Sequence, residues 1–284
     1  MTRERRRLLL VLAAAYAAGL AAALLATLPL AGRHPLLVTA GADLLATLAV
    51  FGFSVRFDNS SVYDPYWSVA PLPIVAYWLA VAAPGTSPAR QALAAGLVAL
   101  WGIRLTANCL HRWRSLADED FRYAERRQRD RGLYWLVSLL GFHLMPTTWV
   151  FLGLLPLWPA LALPGRPVGW LDGAAALLTA GAVLLEGLAD LQLQRFLATR
   201  RDPGEVLARG LWGRFRHPNY VGEVLFWWGI WLFGLAADPT WWWTVVGPLA
   251  ITALFALVSV PLMERRMRER HPGWGARGGA PART

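Results

Sequence analysis

The sequence predicts an all-α protein, a polytopic transmembrane bundle of about eight helices. Three observations support this prediction: 56% of the 284 residues are hydrophobic, only 16% are charged, and 16 residues are tryptophan. Soluble domains carry about 25% charged residues, and tryptophan is enriched where helices meet the membrane surface. The mean hydropathy of +0.38 agrees with both. Together these values exclude an ordinary soluble domain.

Eight apolar segments have lengths close to the roughly 20 residues that a helix needs to cross a bilayer. They are Leu8–Leu30, Leu36–Val55, Trp67–Ala83, Gln91–Leu110, Leu133–Trp158, Val168–Leu191, Tyr220–Ala236 and Trp241–Met263. The first segment could instead belong to a signal peptide. We favour a retained helix, because the apolar run is long and no small-residue cleavage site stands out.

Arginine supplies all 28 positively charged side chains, and their distribution predicts the topology. Only Arg33, Arg90 and Arg166 lie in one set of loops, and the rest lie in the alternate loops and at the termini. The positive-inside rule places those arginine-rich segments and both termini in the cytoplasm, which requires an even number of helices. We therefore expect a multi-pass protein of a bacterial cytoplasmic membrane that contacts membrane lipids and, despite a net charge of +10, no nucleic acid.

The chain divides into three parts by composition. Residues 1–56 form the first transmembrane helices, residues 57–272 form a membrane domain with polar cytosolic loops, and residues 273–284 form a tail predicted to be disordered. The five histidines lack the paired spacing of a zinc site, so no metal is expected. Neither a Gly-x-Gly-x-x-Gly motif after a strand nor a Walker sequence is present.

Two polar loops precede the central helices. In the loop from Asp58 to Trp67, acidic and serine residues could simply cap the next helix, or Tyr63 and Asp64 could face a cavity as proton donors. Between Arg104 and Arg131, mixed charges could form a solvated helix that binds anionic headgroups. Alternatively, arginines could bind nucleotide phosphates while carboxylates bind ribose hydroxyls.

Acidic residues also occur within the later apolar segments. Glu186, Asp190 and Gln194 follow one another every four residues, which places them on one helix face. Carboxylates in membrane segments point into the bundle or a wet cavity and are usually functional. Pairing with an interior arginine such as Arg104 is the alternative. Asp43 in the second segment is a further intramembrane carboxylate, and His143 is predicted to be a hydrogen-bonded core histidine.

The decapeptide from Arg214 to Glu223 is the densest polar motif and leads directly into an apolar segment. Pro218 suits the first turn of a helix, whose free N–H groups can receive an anion. Arg214 and Arg216 add positive charge beside that site, so we assign both to anion binding. Tyr220 and Glu223 lie three residues apart on adjoining faces. A helix cap alone does not need this combination of side chains.

These motifs, in this order, resemble the C-terminal half of the steroid 5-alpha-reductase-like membrane proteins, especially their bacterial branch. The resemblance covers about residues 58–275. It rests on the Asp58–Trp67 loop, Arg104-Leu105, the Asp118–Tyr123 stretch, the Glu186–Phe196 helix, and the segment from Gly210 through the Arg-His-Pro-Asn-Tyr motif to Gly229.

The resemblance implies an NADPH pocket formed by the C-terminal helices and their cytosolic loops. The implied cofactor-binding residues are Asp118, Arg122, Tyr123, Asp190, Arg195, Arg216, His217, Asn219, Tyr220 and Glu223. The implied reaction is hydride transfer to the activated C=C of a lipophilic substrate that enters from the bilayer. Because no counterpart of the steroid enzymes' Gln-Glu pair is evident, we assign Tyr63 and Asp64, together with Tyr220 and Glu223, to catalysis.

A second enzyme class shares one of these elements. The Arg216-His217-Pro218-x-Tyr220 sequence is similar to that of membrane isoprenylcysteine and phospholipid methyltransferases, whose cofactor is S-adenosylmethionine. Those enzymes typically have an acidic pair near the end of the last helix, where this chain offers Glu264. The carboxylates Glu186, Asp190 and Glu223 favour the reductase.

Overall fold

The protein is helical throughout the part of the chain that the structure describes. The computed structural model covers residues 2–202 and 204–271, and these ranges contain no strand. The predicted all-α fold is confirmed, whereas the predicted disordered tail, 273–284, lies outside the described residues.

Thirteen α-helices are labelled in chain order within these ranges. They are α1 (Arg3–Thr27), α2 (Pro35–Arg56), α3 (Tyr66–Val69), α4 (Pro71–Ala80), α5 (Pro88–Arg112), α6 (Phe121–Asp130), α7 (Tyr134–Val137), α8 (Met145–Leu154), α9 (Leu157–Ala162), α10 (Trp170–Thr199), α11 (Pro218–Ala237), α12 (Val246–Leu254) and α13 (Val260–Arg270). Shorter helical turns include a 3₁₀ turn at Ser60–Tyr63 and π turns at Ser138–Leu144 and Phe255–Ser259.

Seven continuous helical stretches in the described ranges are long and apolar enough to cross a membrane. The predicted third span, Trp67–Ala83, falls short of that length because it is divided into α3 and α4 at Pro71. Its flanks nevertheless lie at opposite ends of the bundle. The Ser60 N–H donates to Glu119 Oε1 at one end, and the Ala83 N–H donates to the Ala162 carbonyl at the other. The third apolar segment therefore connects the two ends of the bundle through two short helices, and its crossing of the membrane stays a prediction.

The two ends of the bundle differ in composition. We call the end that holds Asp58, Glu119 and Glu264 the arginine-rich end, because the arginines of α6, α13 and the α10–α11 connection gather there. The other end contains only a few charged groups. The cytoplasmic orientation of the arginine-rich end follows from the positive-inside rule and stays a prediction.

A buried ion pair joins three segments at the opposite end. Arg90, which is 1% exposed, donates from Nε to Asp172 Oδ1 (2.6 Å) and from Nη2 to Asp172 Oδ2 (3.0 Å). The Arg90 Nη1 also donates to the Arg166 carbonyl, and Asp172 accepts from the Gly169 N–H. Because both charges have partners, this bidentate pair fixes the N-terminus of α10 against α5.

Helices α10 and α11 approach each other closely along their length, and glycine makes this possible. A Cβ atom at Gly222 would lie 2.9 Å from the Ala182 carbonyl oxygen, and one at Gly229 would lie 3.0 Å from the Thr179 nitrogen. Residue 222 is adjacent to Glu223, so the close approach brings the carboxyl group of Glu223 toward α10. The fold thereby positions the polar cluster described next.

Candidate functional site

Three membrane-spanning helices contribute ionisable side chains to one buried cluster just inside the arginine-rich end. Arg104 comes from α5, Glu186 and Asp190 come from α10, and Glu223 comes from α11. The Arg104 Nη2 lies 2.6 Å from Glu186 Oε1, and Nη1 donates to Asp190 Oδ2 at 2.9 Å. One arginine faces three carboxyl groups, so the cluster has an excess of acidic groups.

Glu223 is held by two tryptophans. The Trp101 Nε1–H donates to Glu223 Oε2 (3.0 Å), and the Trp227 Nε1–H donates to Glu223 Oε1 (2.8 Å). The Trp101 ring stacks on Phe226 with centroids 4.6 Å apart. On its other side, the Glu223 carboxyl group lies within hydrogen-bonding reach of Glu186. Glu223 is therefore fixed in place in a largely aromatic surrounding.

A polar chain continues from this cluster toward the arginine-rich end. Asn108 donates from Nδ2 to Asp190 Oδ2 (2.7 Å), and Gln194 donates from Nε2 to Asn108 Oδ1 (2.6 Å). The prediction that Glu186, Asp190 and Gln194 share one helix face is confirmed, because all three contact the same face of α5. Asp190 pairs with Arg104, the interior arginine that sequence reasoning offered as an alternative partner.

Several buried polar atoms, in the cluster and in the first turn of α11, lack a hydrogen-bond partner among the described residues. They are Arg104 Nε and Nη2, Glu186 Oε2 and Asn219 Oδ1. The Arg104 Nη2 is close to Glu186 but outside hydrogen-bonding geometry. Buried polar groups are almost always hydrogen-bonded, and exceptions are explained by strain, by a catalytic role or by a bound water or ion. These donors and acceptors are therefore available to a bound group.

The loop before α3 is bound tightly to the segment that leads into α6. Asn59 donates from Nδ2 to the carbonyls of Leu116 and Asp118 (2.8 and 3.0 Å). Ser61 Oγ accepts from the Asp120 N–H, and Asp120 caps α6 by accepting from the Arg122 N–H. These contacts unite the two polar loops that the sequence singled out separately.

Asp64 and Tyr63 point in different directions from this loop. Asp64 accepts a hydrogen bond from the Tyr123 hydroxyl and lies 3.7 Å from Arg122 Nη2. Burial raises the pKa of Asp64 to about 6, although the nearby Arg122 opposes the shift. The structure thus joins Asp64 to Tyr123 and Arg122, which are predicted cofactor-binding residues of α6, rather than to Tyr63.

Tyr63 belongs to a second buried polar group between α2, α3 and α8. Its hydroxyl is 2.7 Å from Thr147 Oγ1, which is 2.9 Å from Thr47 Oγ1. Burial raises the pKa of Tyr63, so its hydroxyl keeps its proton. On the same face of α2, Asp43 lies within hydrogen-bonding reach of the Tyr66 hydroxyl. Sequence reasoning identified Asp43 but missed Tyr66.

His143 is hydrogen-bonded inside the bundle, as predicted. Its Nε2 lies 3.0 Å from Ser54 Oγ, and its Nδ1 lies 2.9 Å from the Ser138 carbonyl oxygen. Ser138 in turn contacts Ser60, whose hydroxyl is 2.6 Å from the Tyr134 hydroxyl. The histidine fills a structural position in the π turn.

The Arg-His-Pro-Asn-Tyr motif begins α11 at Pro218, as predicted. Arg216 Nη1 donates to Glu264 Oε2 (2.9 Å), and His217 Nε2 lies 3.0 Å from Glu264 Oε1. Tyr220 stacks on His217 with ring centroids 5.3 Å apart. The motif therefore faces α13.

The remaining predicted cofactor residues lie farther from the cluster or already have local partners. Asp118 accepts from the N–H groups of Arg114 and Ser115 and so closes its own turn. Arg195 and Arg214 are exposed, and neither makes an ion pair within 2–202 and 204–271. The two arginines remain available to an anion at the arginine-rich end.

A family model described as "protein of unknown function (DUF1295)" matches residues 50–275. The chain belongs to the DUF1295 family. The match includes the whole buried cluster, from Arg104 to Glu223, and also Glu264. An uncharacterised protein of Schizosaccharomyces pombe is similar to this chain, at 28% identity over 246 residues that cover 78% of the chain and 71% of the relative. No solved structure gives a significant match.

Sequence reasoning missed two members of the site, Trp101 and Asn108. With Arg104 they follow one another at spacings of three and four residues, which places all three on one face of α5. Two polar side chains and a tryptophan on one face of an otherwise apolar span were the signal that could have identified them.

Proposed function

We propose that this DUF1295 protein is a membrane-embedded, NADPH-dependent reductase that transfers hydride to an activated C=C of a lipophilic substrate. The observation that supports this most strongly is the buried cluster of Arg104, Glu186, Asp190 and Glu223 with its unpartnered polar atoms. Ionisable groups within a membrane bundle are costly and mark substrate or cofactor sites. The order of motifs along the chain, which resembles the steroid 5-alpha-reductase-like proteins, supports the same assignment.

The available donors and acceptors fit a dinucleotide. Asn219 Oδ1 is a buried acceptor without a partner among the described residues, and it suits a carboxamide N–H group or a ribose hydroxyl of NADPH. The exposed guanidinium groups of Arg195 and Arg214 suit its phosphates. Acceptors lie inside the bundle and arginines lie outside it, so the nicotinamide would face the membrane interior.

NADPH, when bound, would supply the hydride for the β-carbon of an enone-like substrate. The protein must then supply a proton and polarise the carbonyl group. Tyr63 keeps its proton and is oriented by Thr147, and the Asp43–Tyr66 pair offers a second hydroxyl beside a carboxyl group. Asp64, directed at Tyr123 and Arg122, would position the cofactor loop.

An apolar substrate would reach these groups from the bilayer, while a soluble cofactor would arrive from the arginine-rich end. The direct test is calorimetric titration of the purified chain with NADPH, both in detergent and in lipid nanodiscs. We expect saturable binding that Asn219→Ala weakens and that Arg129→Gln, an exposed control outside the cluster, leaves unchanged. Absence of binding in both environments would contradict the proposal.

A methyltransferase that uses S-adenosylmethionine is the second candidate, and one contact favours it. Glu264, in the first half of α13, binds both Arg216 and His217, which belong to the motif that this enzyme class shares. Thermal unfolding in the presence of either cofactor separates the two functions. The reductase predicts stabilisation by NADPH, and the methyltransferase predicts stabilisation by S-adenosylmethionine.

A further inference from the structure

A groove of about 620 Å³ lies at the arginine-rich end between the start of α1 and the end of α2. Leu10 and Ala14 from α1 and Phe53 and Phe57 from α2 form its apolar floor. The volume is within the range of small-molecule sites, roughly 300–1,000 Å³. We propose that this N-terminal groove binds an anionic phospholipid of the surrounding membrane.

The rim of the groove has an excess of positive charge. Arg3, Arg6 and Arg7 line it together with one acidic residue, Glu4. All four side chains belong to exposed residues, and none makes an ion pair within the described ranges. By contrast, Arg127 at the same end of the bundle binds both Asp58 and Glu119. The rim arginines are therefore free to bind a phosphate group.

Charge and apolar surface are arranged at different depths along α1. From Arg7 to Ala14 the helix rises about 10 Å, at 1.5 Å per residue. The arginines thus lie at the level of the headgroups when Leu10 and Ala14 lie in the hydrocarbon. A phospholipid has its phosphate and acyl chains at the same two depths. A soluble anion would leave the floor exposed, and an acidic peptide or nucleic acid would not enter the hydrocarbon.

The groove is separate from the candidate reductase site. The α1 side of it precedes the family match, which begins at residue 50. The other side ends at Phe57, next to Asp58, which binds Arg127 of α6. A lipid in the groove would accordingly contact the helix that leads into the loop before α3, yet its binding does not depend on the proposed reaction.

Native mass spectrometry of the full chain with added lipid tests the proposal. We expect the wild type to retain palmitoyl-oleoyl phosphatidylglycerol in preference to the matching phosphatidylcholine. The triple variant Arg3→Gln, Arg6→Gln, Arg7→Gln should lose this preference by at least about tenfold, because basic side chains near the membrane surface attract anionic headgroups. The matched control Arg200→Gln, Arg201→Gln, Arg209→Gln removes the same charge from exposed sites elsewhere. This control should retain the preference for phosphatidylglycerol.

A second variant tests the groove without changing the charge. Ala14→Trp fills the apolar floor and keeps the arginines, and it should reduce phosphatidylglycerol retention by a similar factor. Millimolar inorganic phosphate should not displace the lipid from the wild type. The proposal is overturned if both triple variants lose lipid equally, if phosphatidylcholine binds as well, or if phosphate competes fully while Ala14→Trp has no effect.

Discussion

Arg104 on α5 and Glu186 on α10 form an ion pair inside the membrane bundle, with Nη2 and Oε1 2.6 Å apart. Glu186 is buried and Arg104 is mostly buried, and yet Arg104 Nη2 and Nε remain without hydrogen bonds among the described residues. The charges attract, but their surroundings do not satisfy all their polar atoms. Removing either partner of such a pair should therefore destabilise the fold.

Replacing Arg104 should destabilise the fold. Arg104→Gln removes the positive charge from between Glu186 and Asp190, and loss of one partner of a buried pair costs about 3 kcal/mol. The free energy of unfolding, measured by denaturant titration in mixed micelles, should fall by this amount. Arg129→Gln, at a side chain that is 77% exposed, should change it by less than about 0.5 kcal/mol. Equal effects would show that the cluster is not stabilising.

The carboxyl group of Asp64 should make stability depend on pH. Burial raises its pKa from 3.8 to about 6, so the folded protein binds this proton more tightly than the unfolded chain does. Stability should therefore fall as the pH rises from about 4 to about 6, by at most about 2–3 kcal/mol, and then stay constant. Asp64→Asn should lack this component. The measurement is the unfolding temperature of the wild type and of Asp64→Asn across this pH range. A difference between the two proteins that does not change with pH would contradict the prediction.

Arg216 and Glu264 should have opposite effects on cofactor binding if Arg216 binds a phosphate of NADPH. Arg216→Ala should weaken binding by roughly 1.5–3 kcal/mol, the range for a hydrogen bond to a charged group. Glu264→Gln removes a carboxylate that competes for the same guanidinium group and should leave binding equal or tighter. Calorimetric titration of both variants measures this. Weaker binding in both would indicate that the pair only positions α13 against α11.

Tyr220 should affect turnover more than affinity. Tyr220→Phe keeps the ring that stacks on His217 and packs against Phe255, and it removes only the hydroxyl group. If that hydroxyl lies near the nicotinamide, NADPH binding should change little and the rate of substrate reduction should fall. The comparison requires a binding titration and a rate once a substrate is identified. A wild-type rate would exclude the hydroxyl from the reaction.

The membrane helices, and the face of α10 that contributes to the site, could be predicted from the sequence because both depend on the local residue pattern. Apolar length identifies the spans, and the four-residue spacing of Glu186, Asp190 and Gln194 fixes their common face. Pro218 marks the start of α11 for a local reason as well. The division of the third span at Pro71 was missed, although the proline was visible.

Contacts between helices could not be predicted, because they depend on how each helix is rotated and how closely it packs. Trp101 and Glu223 are 122 residues apart and meet because α5 and α11 pack against each other. The pairing of Glu264 with Arg216 likewise depends on the position of α13. Tyr63 and Asp64 were paired by sequence proximity, and the short helical turn at Ser60–Tyr63 directs them to different partners.

The π turn at Ser138–Leu144 makes one part of the fifth pass tolerant of a change in length. A π turn accommodates one residue more than an α-helix would. Deleting a single residue there would restore regular α-helix and leave the two flanks in nearly the same relative rotation. Tyr134 before the turn could then keep its partner in the loop before α3. The same deletion in the regular α-helix of this pass would rotate one flank by about 100° relative to the other and would be far more disruptive.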